Sequence, residues 1–326
     1  MIVLSFGGLA MAGGGDGERH ADVTIGVCTF GRSSVRETLR SLLAAHAAEG
    51  LAVAVVVADN NLHPSAWPIV EAFGAEAPFP VRYVHVPAGN IALARNACLD
   101  ASEGEWLAFI DDDEVADAGW LDELLRQGES ADVIVGPVLA RYPAEAADWQ
   151  RRGDFHSIRE RCPLTLGRNA YCGNVLIRRT LVEQSGARFD LAFGRSGGED
   201  TAFFACLERA GARFALSAGA IVREDVPAGR LGLRYLLTRA LRNGHVFARV
   251  HGADTHALAA ACKLLWLLAS GLLRAGDPVA WRRSAIRGGF HVGVLREKLG
   301  LRPAPAYGAS DPAPRGYGGI DAVSSC

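Results

Sequence analysis

A chain of 326 residues with 49% apolar side chains can bury a full core, which excludes a disordered polymer and a small disulfide-stapled scaffold. The net charge is only −2, but residues 228–303 hold 13 Lys and Arg against Asp254, Asp277 and Glu297, leaving the rest of the chain acidic. The seven cysteines are scattered without metal-type or paired spacings, so a zinc module is excluded and a reducing, cytoplasmic setting is favoured.

In chain order, residues 1–21 begin with a short apolar run that lacks a basic stretch before it and dissolves into glycines. They are expected to form a disordered leader rather than a secretory signal, with Met11 as an alternative start. From residue 22, Val- and Ile-rich runs alternate with helical patterns: "DVTIGVCTF" (22–30), "LAVAVVVAD" (51–59), "VRYVHV" (81–86), "EWLAFID" (105–111) and "ADVIVGPV" (131–138). Such alternation predicts an α/β fold with a mostly parallel sheet covered on both faces. Ligands of such sheets bind beyond the carboxyl ends of the strands. There the sequence places "TFGRSS" (29–34), "DNN" (59–61) and "DDDE" (111–114). Neither GxGxxG after the first strand nor GxxxxGK[ST] anywhere is present, which argues against a dinucleotide fold and a P-loop.

Three adjacent aspartates at a strand end repel one another, and burying them ionised and unpaired costs several kcal/mol. A divalent cation removes that cost, and one or two carboxylates completed by substrate phosphates and water suit Mg²⁺ or Mn²⁺. Strand alternation puts Asp111 and Asp113 on one side and Asp112 on the other. Glu114 and Asp117 read instead as first-turn acids of a following helix.

The ordered set "VCTFGR", "VVADNN", "GNIALARNACLDASEGEWLAFIDDDE", "GNVLIRR" and "GGEDTAFFACLERAG" resembles the family 2 glycosyltransferases of the GT-A fold, especially the bacterial exopolysaccharide, succinoglycan-type branch, over residues 22–245. The resemblance implies an inverting transfer of a sugar from a nucleoside diphosphate-sugar, with UDP favoured, to a glycan acceptor. It implies that Asp59 contacts the base, that Thr29 and Arg32 line the same pocket, and that Arg95 frames it. By the same match Asp111 and Asp112 lie near the ribose, Asp113 coordinates the metal at the diphosphate, and Asp200 is the general base. Asn174 and Glu199 fall near the donor sugar or acceptor, and Glu224 is an added metal ligand or site organiser. Each has a plainer explanation beside it: an Asx turn for Asp59, a helix cap for Asp200 and a solvated loop for Glu224.

Beyond residue 230 the chain turns helical and basic. Arg234, Thr238, Arg242, His245 and Arg249 share one helical face, and "ALAAACKLLWLLASGLL" (257–273) is apolar but contains Lys263 and is short for a membrane span. A basic amphipathic region over 230–302 reads as a membrane-surface element serving a polyprenyl-diphosphate-linked acceptor, or as a helical subdomain packed on the core. No nucleic-acid motif accompanies it. Residues 303–326 are Pro/Gly-rich and expected to be a flexible tail. The expected units are therefore a leader, a catalytic domain over 22–229, the helical region and the tail. A nucleotidyltransferase acting on sugar phosphates and a noncatalytic sugar-nucleotide-binding protein remain as alternatives.

Overall fold

The computed structural model describes residues 2–6, 21–45, 50–159, 170–252 and 257–301. Its centre is an eight-stranded mixed sheet with strand order β1-β4-β3-β2-β5-β9-β7-β10. The parallel part comprises β2 (Val23–Thr29), β3 (Val53–Asp59), β4 (Val81–His85) and β5 (Trp106–Asp111), each within a residue or two of an apolar run read from the sequence. β9 (Asn174–Arg178) runs antiparallel to both β5 and β7 (Val133–Val135), and β7 pairs in parallel with β10 (Phe214–Leu216).

β2 is buried along its whole length because helices cover both faces. Val23, Ile25, Val27, Val55 and Val57 pack towards α1 (Val35–Leu42), α2 (Trp67–Glu76) and α4 (Trp120–Leu125). Val56, Ala58, Leu107 and Phe109 cluster with α3 (Ile91–Ala101) and, since α5 (Asp148–Gly153) is not part of this cluster, with α6 (Arg179–Ser185) and α7 (Glu199–Arg209). This two-sided burial explains why the strands read as continuous apolar runs instead of alternating ones. Gly26 is required in the middle of β2, since a Cβ there would lie 2.9 Å from the Phe109 ring.

A second sheet, β6-β11-β8, sits above the carboxyl ends of the first. It consists of β6 (Glu114–Ala116), β8 (Val138–Arg141) and β11 (Val222–Asp225). β6 and β11 are antiparallel with Glu114 directly opposite Glu224. The expectation that Glu114 starts a helix is thereby corrected: it is buried in a strand, and α4 begins only at Trp120. Asp117 is structural, forming a two-pronged pair with Arg223 at 2.8 Å.

The expected leader also departs from its reading at its beginning. Ile2–Phe6 forms β1, an edge strand antiparallel to β4, whereas residues 7–20 lie outside the described residues. So does the expected tail beyond residue 303. Cys28, Cys98, Cys172 and Cys262 are free thiols, whereas Cys206 is disulfide-bonded, which departs from a set of purely scattered thiols.

The C-terminal region is a helical layer of α8 (Leu233–His251), α9 (Ala257–Leu273) and α10 (Ala280–Lys298). Two glycines let α8 and α10 cross closely: a Cβ on Gly244 would lie 1.8 Å from the Phe290 carbonyl oxygen, and one on Gly293 would lie 2.0 Å from that of Leu241. The single basic face expected of α8 is divided. His245 is buried with Nε2 2.8 Å from Glu297 Oε2, and Arg249 stacks its guanidinium 4.4 Å from the centre of the Phe193 ring. α9 buries only Ala260 and Leu267, leaving Leu265, Trp266, Leu268, Leu272 and Leu273 exposed. No helix among the described residues is long and apolar enough to cross a membrane.

Candidate active site

The carboxyl ends of β2 and β5 and the start of α7 meet around two adjoining cavities. The larger, about 440 Å³, is lined by Asp111, Asp113, Glu114, Glu224 and Asp200 on one side and by Tyr235, Arg239 and Arg242 of α8 on the other. The smaller, about 100 Å³, is lined by Thr29, Phe30, Asn60, Gly89, Ile91 and Asp112. Arg32, Arg95, Asp111 and Glu199 border both.

The aspartates separate as strand alternation requires. Asp112 is buried, accepting a hydrogen bond from Thr29 Oγ1 at 2.7 Å and one from Arg32 Nη1 at 2.9 Å. Burial raises its carboxyl to about 6, against the pull of Arg32 and Thr29. Asp113 accepts from the same Arg32 nitrogen at 2.7 Å and faces the larger cavity. Asp111 is open to the cavity, its side chain 43% exposed, yet protein surrounds the recess, and burial raises its carboxyl despite Arg95.

Arg95 is buried in α3 and spans two motifs. Its Nη1 donates to Glu199 Oε1 at 2.5 Å and its Nη2 to Asp111 Oδ1 at 3.5 Å. α3 is anchored by its N-cap, Asn90, whose side chain accepts from the Ala92 amide at 3.1 Å. Glu199 is 5% exposed, and its second oxygen, Oε2, has no partner among the described residues. Burial raises Glu199 to about 7, outweighing Arg95, with Asp200 adding repulsion.

Gly198 starts α7 with φ +103°, and a Cβ there would lie 2.3 Å from Val246 of α8. The glycine pair is therefore needed in part for backbone geometry and helix contact, and only Gly197 remains open beside the cavity. Asp200 borders the larger cavity and accepts from the Thr201 amide at 2.7 Å, but it lies inside the first turn of α7, whose cap position is Gly198 without a side-chain cap.

Two expected ligand contacts are corrected by burial. Asp59 is 0% exposed: Oδ1 accepts from the Asn61 amide at 3.0 Å, and Oδ2 accepts from the Ala66 amide at 2.8 Å and Tyr83 Oη at 2.9 Å. It holds the loop after β3, while its neighbour Asn60 lines the smaller cavity. Asn174 is also 0% exposed; Oδ1 accepts from Trp120 Nε1 at 2.8 Å, and Nδ2 donates to the carbonyls of Pro137 and Ala220 at 2.9 and 2.7 Å. It joins the two sheets and does not line either cavity.

Among the described residues no three acid, histidine or cysteine side chains gather as a metal site. Asp113 and Glu224 each hold an arginine: Arg230 Nη1 donates to Glu224 Oε1 at 2.7 Å, with its Nη2 3.8 Å from Asp113. Burial and Asp113 raise the Glu224 carboxyl, while Arg230 and Arg239 oppose that rise. An all-oxygen set of one or two carboxylates fits Mg²⁺ or Mn²⁺ shared with substrate phosphates, and does not fit a fully caged resident ion.

Glu114, Asn60, Arg230, Arg239 and Arg242 were missed as cavity residues. Glu114 carried a signal in its position ending the acidic run, but a three-residue strand is too short to read by period. Arg239 and Arg242 are one helical turn apart, a spacing legible in the sequence without indicating which way it faces.

A mixed sheet with an acidic strand end, accompanied by a second small sheet, defines an α/β architecture with its site at the carboxyl ends of the strands. The chain belongs to glycosyl transferase family 2, which matches residues 24–186. It is 40% identical over 302 residues to the succinoglycan biosynthesis protein ExoM of Rhizobium meliloti (strain 1021), covering 89% of this chain and 96% of that protein. Among solved structures, S. aureus TarS 1-349 in complex with UDP-GlcNAc superposes with a TM-score of 0.51 at 16% identity, covering 86% of this chain and 92% of that one. The same TarS fragment with UDP gives a TM-score of 0.50 at 16% identity, with the same coverage. These likenesses establish the GT-A type of fold.

Proposed function

We propose that this enzyme transfers a sugar, with inversion, from a UDP-sugar to a glycan acceptor carried on a polyprenyl diphosphate, in exopolysaccharide assembly at the cytoplasmic face of the membrane. The observation that carries it is the pair of cavities sharing Arg32, Arg95, Asp111 and Glu199, with Asp200 on the larger one. The nucleoside fits the smaller cavity, between Phe30, Asn60 and Thr29, and the sugar projects across Asp111 towards Asp200.

Asp200 acts as general base. Its carboxylate takes the proton of the acceptor hydroxyl as that oxygen bonds to the anomeric carbon, and the bond from that carbon to the diphosphate breaks with its electron pair leaving on UDP. Arg95 fixes Glu199 and Asp111, so the carboxylate walls keep their positions when substrate enters. Arg32, shared by Asp112 and Asp113, and Arg230 place positive charge beside the departing diphosphate. A Mg²⁺ or Mn²⁺ ion held by Asp113, with Glu224 as a further ligand or organiser, would supply Lewis-acid stabilisation to the same group. UDP as nucleotide is supported by the TarS complexes, and a polysaccharide product by the name of the Rhizobium relative. The exposed apolar side of α9 and the basic composition of 228–303 support contact with a membrane surface. The nucleotidyltransferase alternative gives way to the family membership.

The test is UDP release from a panel of UDP-sugars in the presence of lipid-linked glycans extracted from bacterial membranes. Release should need both substrates, and Asp200→Asn should lower it by ~10²-fold or more while UDP binding persists. UDP binding by both proteins with turnover by neither would favour a noncatalytic sugar-nucleotide binder.

A further inference from the structure

Three acids of the larger cavity already have their own arginines: Asp111 has Arg95, Asp113 has Arg32, and Glu224 has Arg230. Two further guanidinium groups face them from α8. Arg239 and Arg242 are half-buried and line the larger cavity only, and their guanidinium groups make no hydrogen bond or ion pair with any described residue. Glu224 attracts Arg239 across the recess but no ion pair forms between them, so both guanidinium groups can still take a ligand anion, and the flat guanidinium fork matches phosphate oxygens in particular.

Their position separates them from the donor's nucleoside. The nucleoside cavity is bounded by the loops after β2 and β3, and neither α8 arginine borders it. On their own helix, one to two turns further on, Val246 and Phe247 line the same cavity together with Phe290 of α10, the Phe247 and Phe290 rings lying 5.6 Å apart. The recess thus passes from a cationic stretch to an aromatic one within the helical layer that also carries the exposed apolar side of α9.

We propose that Arg239 and Arg242 form an anion subsite on the acceptor side, which takes the diphosphate of a lipid-linked glycan while the aromatic stretch receives the first part of its lipid. The proposal rests on the glycosyl-transfer reading and adds which group of the acceptor is recognised, and where. Two diphosphates could supply this chemistry, that of the donor and that of the acceptor, so the experiment has an arm for each.

The full chain, saturated with UDP and Mn²⁺, is titrated calorimetrically with farnesyl diphosphate, a soluble short polyprenyl diphosphate, and with farnesol. Farnesyl diphosphate should bind and farnesol should not. The double variant Arg239→Ala/Arg242→Ala should lose at least ~10-fold in farnesyl diphosphate affinity. It should keep its affinity for UDP within about two-fold, as should the exposed control Arg36→Ala for both ligands. Lysine at both positions should restore part of the loss, showing that charge and not packing is responsible. Farnesyl diphosphate affinity unchanged in the double variant, or absent in the unaltered protein, overturns the subsite alone. Loss of UDP affinity in parallel assigns the arginines to the donor and also overturns it, whereas an unaltered protein that fails to bind UDP overturns the donor reading as well.

Discussion

Arg95 holds Glu199 at 2.5 Å from inside α3, joining the helix after β4 to the first residue of α7 across the floor shared by both cavities. Removing it leaves a buried carboxylate without its cation and frees Asp111 at the same time. Arg95→Leu should therefore destabilise the fold by about 2–4 kcal/mol in urea unfolding and lower kcat/KM by ~10²-fold or more. A variant with full activity would show that the bridge is not required for positioning.

Glu199 sets a pH dependence of stability. Burial raises its carboxyl from an ordinary 4.5 to about 7, so between those values the folded protein holds a proton that the unfolded chain has released. Stability from this group is complete below about pH 4.5 and is lost as pH rises through about 7, on the order of 3 kcal/mol. Glu199→Gln should flatten that part of the stability profile, measured by denaturant midpoints from pH 4.5 to 8. A slope identical in both proteins would assign it to other groups.

Asn174 and Asp59 predict the opposite of ligand-contact behaviour. Asn174→Ala leaves Trp120 Nε1 and two carbonyls unsatisfied in the core and should cost about 2–4 kcal/mol, with UDP affinity per folded molecule unchanged. Asp59→Ala, which removes the acceptor of two amides and Tyr83 Oη, should behave similarly. Direct titration of the folded fraction with UDP distinguishes this from loss of a binding group.

The apolar side of α9 predicts vesicle binding. Leu272 and Leu273 are 80% and 87% exposed, beside Trp266, and burying such side chains in a lipid interface gains about 25 cal/mol per Å². Leu265→Glu/Leu272→Glu should reduce sedimentation with phosphatidylglycerol vesicles by ~10-fold or more and leave UDP affinity unchanged. Equal sedimentation of both proteins would mean that α9 does not face lipid.

The parallel part of the sheet was legible because strands buried on both faces must be apolar throughout, as β2 and β3 are. The acids that follow them were legible because a strand end directs charge to one edge. β9 running antiparallel between β5 and β7 was not, since strand direction leaves no trace in side-chain pattern. Nor could the sequence tell Asp59 from Asn60 as the cavity residue: both end the same strand, and only the loop fold shows that Asp59 spends its oxygens on Asn61, Ala66 and Tyr83. The inward turn of Arg239 and the burial of His245 depend on how α8 seats against α10, a tertiary choice that charge pattern alone does not fix.

We propose that Asp113, just past the end of β5, with Arg32 and Arg230, holds an activated sugar's diphosphate together with a divalent cation. The most direct measurement is the melting temperature of the full chain with UDP in Mn²⁺ and in EDTA, for the unaltered protein and for Asp113→Asn. UDP at about 100 times its Kd should raise the melting temperature by several degrees in Mn²⁺, with little change in EDTA or in the variant. An equal rise in EDTA, undiminished by Asp113→Asn, would contradict it.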